Sequence, residues 1–250
     1  MWGRHSIYYG AANVRRTGDN ISHFLFSPLI ETRQFSLARQ LSRVRGVTSN
    51  TDTFSGFISV GKEKETQRHL FFWLVLREKE PSLGPLVLHL AGGLTVGHAV
   101  FKQTGPFFVE IKKVLGQTRV NLVRNRNSWH SVANMLYVDY TTDTGFSFSS
   151  SPGEGGSSVE SVTEDLVSFL SQVMELVPHY VPGYHQSRAR LLVWAHSLAA
   201  PLAVSLVERL ARSDNTHRYN LQGLALENPL LNSSLQLGAL TQIFFSKQPV

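Results

Sequence analysis

The 250-residue chain contains no cysteine, which excludes disulfide bonds and thiolate chemistry. Chains without cysteine are typical of the cytosol rather than of oxidising compartments. The chain also lacks any run of about 18 apolar residues, so we expect no transmembrane helix. Its first residues begin no apolar stretch of the kind found in signal peptides, and residues 1–22 are predicted to form a poorly ordered leader.

The chain has more cations than anions, but its cations are not clustered in the sequence. The net charge is +6, yet no five like charges follow one another. A basic balance suits nucleic acid or an anionic surface, whereas scattered cations are typical of an ordinary solvated surface. We therefore expect no nucleic-acid partner. The hydrophobic content of 42% is that of a globular protein and excludes a disordered chain.

The ten histidines show no HExxH motif and no paired spacing, so the sequence predicts neither a metal site nor a cofactor.

Apolar runs alternate with amphipathic segments in a way that is typical of an α/β protein. Continuous runs indicate strands that are buried on both faces of a sheet. Helical spacing with Glu and Asp near its start predicts a helix over residues 161–176 that ends at Pro178, and a second helix begins at Pro201. The pattern predicts a mainly parallel sheet flanked by helices, with strands at residues 56–60, 69–76, 85–90, 135–138, 189–195 and 221–226.

Ser197 lies between a predicted strand and a predicted helix. A nucleophile elbow needs such a turn, with small residues two positions before and two after the serine. Ala195 and Ala199 occupy those positions. The nearby helix N-terminus offers backbone N–H groups that stabilise an oxyanion, but a serine that merely caps a helix would occupy the same place.

Gly92 and Gly93 follow a predicted buried strand. Glycines there let a backbone N–H approach a ligand closely, as an oxyanion hole requires, and they also suit a plain turn. His196 is adjacent to Ser197 and is not expected to be its base, because adjacent side chains at a sharp turn point apart.

Several stretches together resemble the serine carboxypeptidases, and most closely their vitellogenic carboxypeptidase-like branch. The resemblance runs from about Phe24 to Phe245 and is carried by residues 26–31, 38–42, 55–60, 70–73, 105–107, 128–129, 132–137 and 145–149. It implies an α/β-hydrolase fold and the removal of C-terminal residues from peptides, usually in secretory or lysosomal compartments. Residues 23–250 would form one partial domain, which ends before the family's cap and its C-terminal triad residues.

The same resemblance implies roles for individual residues. Ser197 matches the serine of the family's Gly-Glu-Ser-Tyr-Ala-Gly motif, with Leu198 N–H as one oxyanion donor. Gly93 matches the second glycine of the Gly-Gly-Pro motif and supplies the other donor. A peptide C-terminus is the implied substrate.

The chain departs from the family where a substrate carboxylate would be bound. Those positions match Ala91, Gly92, Gln103 and His196. Ala91 replaces an amide residue, and Gln103 and His196 each replace a glutamate. The Ser-Pro-Val-Gly stretch of the family is replaced by residues 140–143, Tyr-Thr-Thr-Asp.

The family's catalytic Asp and His come from its C-terminal half, and no residue after the last predicted strand matches them. Without a base the serine hydroxyl stays protonated and is a poor nucleophile. Three interpretations remain open: a degenerate or shortened homologue with little activity, a binding module on a hydrolase scaffold, and a fragment of an active enzyme. Replacement of the carboxylate-binding residues favours degeneration over simple truncation.

Overall fold

The computed structural model describes residues 24–45, 51–61, 68–93, 95–114, 116–142, 144–149, 158–185, 190–212 and 219–246. The predicted leader therefore lies outside the described residues. The helices are α1 Ser27–Glu31, α2 Phe35–Ser42, α3 Val96–His98, α4 Val159–Tyr180, α5 Ala200–Arg212 and α6 Ser233–Ser246. The strands are β1 Thr53–Val60, β2 Arg68–Val75, β3 Leu86–Leu90, β4 Phe107–Val114, β5 Gln117–Arg124, β6 Asn134–Val138, β7 Phe148–Ser149, β8 Leu191–His196 and β9 Leu221–Glu227.

The main sheet has the strand order β1-β2-β6-β3-β8-β9, and the short β7 pairs with β2. Strands β6, β3, β8 and β9 are parallel, whereas β1 and β2 form an antiparallel hairpin that joins β6 in antiparallel fashion. The predicted α/β-hydrolase-like class with a parallel central sheet is confirmed. The antiparallel pairs lie on the side of the sheet away from β8 and β9.

Alternate residues of the central strands point into two separate apolar clusters. Leu88, Leu136 and Val193 belong to one cluster, which also contains the inner faces of α4 and α5. Val87 and Trp194 belong to the other, with Val96 and Val100 from α3 and the following π-helical turn Ala99–Gln103. The strands are thus buried on both faces, as their continuous apolar runs predict.

Helix α4 is longer at both ends than the sequence predicts. It begins at Val159 because the Ser158 hydroxyl caps it by accepting the Ser161 N–H at 3.1 Å. The first turn therefore contains Glu160 rather than the expected Glu164 and Asp165, and Asp165 is buried one turn later in a bidentate ion pair with Arg68 at 2.6 and 2.7 Å. Pro178 does not end the helix, since a proline in the last turn removes only one hydrogen bond.

Two elements without a sequence signal extend from this body. Strands β4 and β5 form a separate antiparallel ribbon, and every residue of β5 is exposed. Helix α6 has no buried residue. Within the described part of the chain, no helix has the length and hydropathy needed to cross a membrane.

Candidate functional site

Ser197 lies directly after β8, at the carboxyl end of a central parallel strand. Its φ is +53°, in the left-handed region that non-glycine residues rarely adopt. The 3₁₀ turn Ser197–Ala199 then leads into α5. The chain thus makes a sharp strand-to-helix turn in which Ser197 is partly exposed and the flanking Ala195 and Ala199 are completely buried.

Hydrogen bonds hold the Ser197 carbonyl in this strained turn. The carbonyl accepts the Leu230 N–H at 3.1 Å and the N–H of Ala200, the cap residue of the 3₁₀ turn. A left-handed non-glycine residue costs on the order of 1–3 kcal/mol and persists only where its surroundings fix it. Such strain is the geometry that a nucleophile elbow requires.

Gly92 brings the loop after β3 into contact with this turn. A Cβ atom at Gly92 would lie 2.0 Å from the His196 carbonyl oxygen and 2.5 Å from the Leu198 nitrogen. Gly93 follows with a φ of +69°, and a Cβ there would lie 3.7 Å from the Leu198 side chain. The register that pairs Leu90 with Ala195 places these two strand ends side by side. The structure therefore brings Gly92, Gly93, Ser197 and Leu198 together.

The side chains of Asp139 and Tyr140 bind the backbone on either side of Gly92 and Gly93, in the loop that follows β3. The buried Asp139 carboxylate accepts the Val96 N–H at 2.6 Å and the Phe146 N–H at 3.0 Å. Burial raises the pKa of Asp139 to about 6, and these two hydrogen bonds oppose the rise. The Tyr140 hydroxyl donates to the Ala91 carbonyl at 3.1 Å. The sequence offered no pattern for either residue, because their partners are backbone groups from distant loops.

Comparison with known proteins identifies the family to which the chain belongs. The sequence profile of the serine carboxypeptidase family matches residues 45–250 of this chain. The chain belongs to the serine carboxypeptidase family. Its relatives include serine carboxypeptidase-like 44 of Arabidopsis thaliana, which is 30% identical over 77% of this chain and 39% of the relative. Vitellogenic carboxypeptidase of Aedes aegypti is 27% identical over 90% of this chain and 46% of the relative.

The chain thus spans less than half the length of these serine carboxypeptidases. Another relative, serine carboxypeptidase S10 family member 1 of Dictyostelium discoideum, is 32% identical over 79% of this chain and 45% of the relative. Among solved structures, Candida antarctica lipase A in its closed state aligns over 76% of this chain and 40% of the lipase, with a TM-score of 0.45 and 10% identity. A bacterial heroin esterase aligns over 93% of this chain and 60% of the esterase, with a TM-score of 0.43 and 15% identity.

The sequence resemblance predicts that four positions match the family's carboxylate-binding residues, and the structure shows the surroundings of each. Ala91 is buried and has no polar side-chain atom. Gln103 Oε1 and His196 Nδ1 are both buried and have no hydrogen-bond partner among the described residues. Gly92 packs directly against the backbone of the serine turn.

A second buried imidazole lies one strand away from the serine turn. His89 of β3 is 1% exposed and packs between Tyr137 and Trp194, with ring centroids 5.0 and 4.1 Å away. Neither ring nitrogen has a partner among the described residues. Burial lowers the pKa of His89 to about 3, so the ring is neutral at physiological pH.

The described part of the chain contains no proton relay to Ser197. No hydrogen bond joins the Ser197 hydroxyl to a described imidazole or carboxylate. Nor do the described residues form a cluster of three or more His, Asp or Glu side chains that would hold a metal ion. The described residues thus combine a serine at a strained strand-to-helix turn with a glycine loop packed against it, and none of them is placed to accept the serine proton.

Proposed function

We propose that this chain is a serine carboxypeptidase homologue in which the nucleophile and oxyanion positions are formed but the chain alone does not hydrolyse peptides. Ser197 is the nucleophile position, and the N–H groups of Gly93 and Leu198 are the oxyanion donors. The observation that carries the proposal is the strained Ser197 turn packed against Gly92, with no described base beside its hydroxyl.

The chemical reason is the cost of losing a base. A serine hydroxyl is activated when an imidazole accepts its proton, and an oxyanion hole without that imidazole retains only a small part of the rate enhancement. Loss of a triad member lowers turnover by about four to six orders of magnitude. Peptide hydrolysis by this chain is therefore expected to be indistinguishable from background.

The test measures release of C-terminal amino acids from N-blocked dipeptides between acidic and neutral pH, with Ser197→Ala beside the unmodified chain. A fluorophosphonate probe, which labels only activated serines, supplies a second readout. Both proteins should behave alike in both assays. Turnover or labelling that disappears in Ser197→Ala would contradict the proposal and would require a base from elsewhere in the chain or from a partner.

Peptide binding without hydrolysis is the second candidate function. The unpartnered Gln103 Oε1 and His196 Nδ1 favour it, because buried polar atoms are usually satisfied by protein, solvent or ligand. A protonated His196 would attract a terminal carboxylate. Calorimetric titration with an N-blocked dipeptide and its C-terminal amide separates the cases. Tighter binding of the free acid, lost in His196→Ala, supports this function, and equal affinity for both peptides rejects it.

A further inference from the structure

The β4–β5 ribbon, Phe107–Val114 paired with Gln117–Arg124, concentrates charge that looks scattered in the sequence. Residues 107–126 contain five cations and one carboxylate, a net charge of +4, whereas the whole chain carries +6. The cations are all exposed: Lys112, Lys113, Arg119, Arg124 and Arg126. Folding the segment back on itself brings the cations of both strands onto one small projection.

Pairing across the ribbon separates its side chains into two unlike faces. Directly paired residues of an antiparallel ribbon share a face, and successive pairs alternate between faces. The pairs Val109–Leu122 and Ile111–Val120 therefore lie on one face. The intervening pairs, Glu110–Asn121 and Lys112–Arg119, lie on the other. The first face also carries Phe107–Arg124 at its base and Lys113–Thr118 near its tip, and the second carries Phe108–Val123 at its base. The middle of the ribbon is therefore amphipathic.

The base of the ribbon is fixed to the body of the protein. Phe107, on the apolar face, packs against the core cluster formed around Trp194 and Val100. At the same end Arg124 forms an ion pair with Glu78, whose carboxylate also contacts His130 at 3.0 Å. These contacts hold the base of the ribbon, so the rest of it projects in a defined direction.

Beyond this base no described element of the chain covers the apolar face. Ile111 is 66% exposed, Val120 64% and Leu122 43%. Of the cations near the tip, Lys112 contacts Glu110 at 2.8 Å, while no described carboxylate pairs with Lys113 or Arg119. Exposed aliphatic groups with unpaired cations beside them are the combination that anionic bilayers bind.

We propose that the β4–β5 ribbon docks this protein on an anionic lipid surface. Ile111, Val120 and Leu122 enter the headgroup region, and Lys112, Lys113 and Arg119 contact the acidic headgroups. One observation favours lipid over nucleic acid. The exposed apolar groups near the tip, Ile111, Val120 and Leu122, are branched aliphatics, which do not stack on bases, and the exposed ring of Phe108 lies at the base of the ribbon. A second observation argues against mere protection of a sheet edge, since cations with that role alone would not need apolar side chains beside them.

The experiment measures sedimentation of the full chain with vesicles of phosphatidylcholine, with and without phosphatidylserine. The protein should bind the phosphatidylserine vesicles, bind neutral vesicles weakly, and be released by salt. Each cation near an anionic surface contributes about fivefold in affinity, so Lys112→Gln, Lys113→Gln and Arg119→Gln together should lower binding by about 100-fold.

A control variant separates the ribbon from net charge. Arg33→Gln, Arg45→Gln and Arg190→Gln remove three exposed cations elsewhere on the molecule, and this variant should bind vesicles as the unmodified chain does. The apolar contribution is tested separately with Ile111→Ser plus Val120→Ser, which should lower binding about tenfold or more. The melting temperature of every variant verifies folding.

Three results would overturn the proposal. The first is no binding to phosphatidylserine vesicles at low salt. The second is an equal loss of binding in the ribbon and control variants, which would make net charge the cause. The third is a ribbon-dependent affinity for DNA or for polyglutamate that exceeds the affinity for vesicles, which would assign the surface to another class of partner.

Discussion

At the scale of single residues, the contact of Gly92 with the serine turn leaves no room for a side chain. A methyl group there would meet three backbone atoms, the His196 oxygen at 2.0 Å, the Leu198 nitrogen at 2.5 Å and the Ala199 nitrogen at 2.9 Å. Backbone cannot move aside as a flexible side chain can. We expect Gly92→Ala to lower the free energy of unfolding by about 3 kcal/mol or more, measured by urea denaturation.

Gly238 is the matched control for this substitution. It lies inside α6, and a Cβ there would meet nothing within 4 Å. Because alanine is the better helix former, Gly238→Ala should raise stability by about 0.5–1 kcal/mol. Equal effects of the two substitutions would contradict the close packing of the glycine loop on the serine turn.

Burial of His89 should lower the stability of the folded chain at acidic pH. Its folded pKa of about 3 lies below its unfolded value of 6.5, so below pH 6.5 the unfolded chain takes up a proton that the folded chain does not. Stability is thus lost as the pH falls. His89→Phe should raise the free energy of unfolding, and with it the melting temperature. The gain in free energy should be about 2 kcal/mol larger at pH 5 than at pH 7.

The exposed His185 is the control, and His185→Phe should leave this pH dependence unchanged. Thermal denaturation followed by circular dichroism across pH 5–7 compares the three proteins. A gain from His89→Phe that is the same at both ends of this range would mean that the imidazole is not held neutral by burial.

At the scale of elements, Asp139 joins the loop after β3 to the loop before β7 through its bonds to Val96 and Phe146. Its folded pKa, about 6, lies above its ordinary value of 3.8, so between these values the folded chain holds a proton that the unfolded chain has lost. Its contribution to stability is complete below pH 3.8 and is lost as the pH rises through about 6.

The variant Asp139→Asn removes this proton and should remove its pH dependence. It also loses one acceptor, which lowers stability at every pH by about 1–2 kcal/mol. The unfolding free energy of the unmodified chain relative to Asp139→Asn should therefore fall by about 2–3 kcal/mol between pH 4 and pH 7. A difference that stays constant over this range would contradict the raised pKa.

The elements that could be predicted from the sequence are those buried on two faces. Apolar runs located β2, β3 and β8 to within two residues at each end. The β4–β5 ribbon was missed because β5 is exposed throughout and mixes Val and Leu with Arg and Asn. Helix α6 was missed because apolar residues surround it, so it has no single hydrophobic stripe.

The sequence likewise predicts some parts of the candidate site and not others. Strand-to-helix context indicated Ser197, and the glycine pair indicated the loop that meets it. Their contact depends on the register of β3 on β8, which neither strand encodes alone. Asp139 and Tyr140 act on backbone groups, and hydrogen bonds of that kind leave no residue pattern.

At the scale of the whole molecule, one end of the sheet carries a large uncovered apolar surface. Strand β9 is the last in the sheet order, so no described strand pairs with its outer edge. Helix α6 follows it without a charged residue and exposes Leu235, Leu237, Leu240, Ile243, Phe244 and Phe245. Open strand edges and apolar patches of this kind promote association.

We expect the purified chain to self-associate at micromolar concentrations and to bind a hydrophobic dye. Leu240→Lys with Phe244→Lys should shift sedimentation velocity profiles toward the monomer and reduce dye fluorescence severalfold. Leu83 and Val132, which are 69% and 65% exposed elsewhere, provide the control pair for the same change to lysine. If that control pair disperses the protein equally well, added charge rather than α6 is responsible.

The Gly92 contact also limits what the presence of a glycine at this position says about activity. Selection for folding alone is enough to retain glycine there, since any larger residue collides with backbone whether or not the protein performs chemistry. The glycine at this position is therefore explained by the fold alone, and its presence is no evidence for or against catalysis at Ser197.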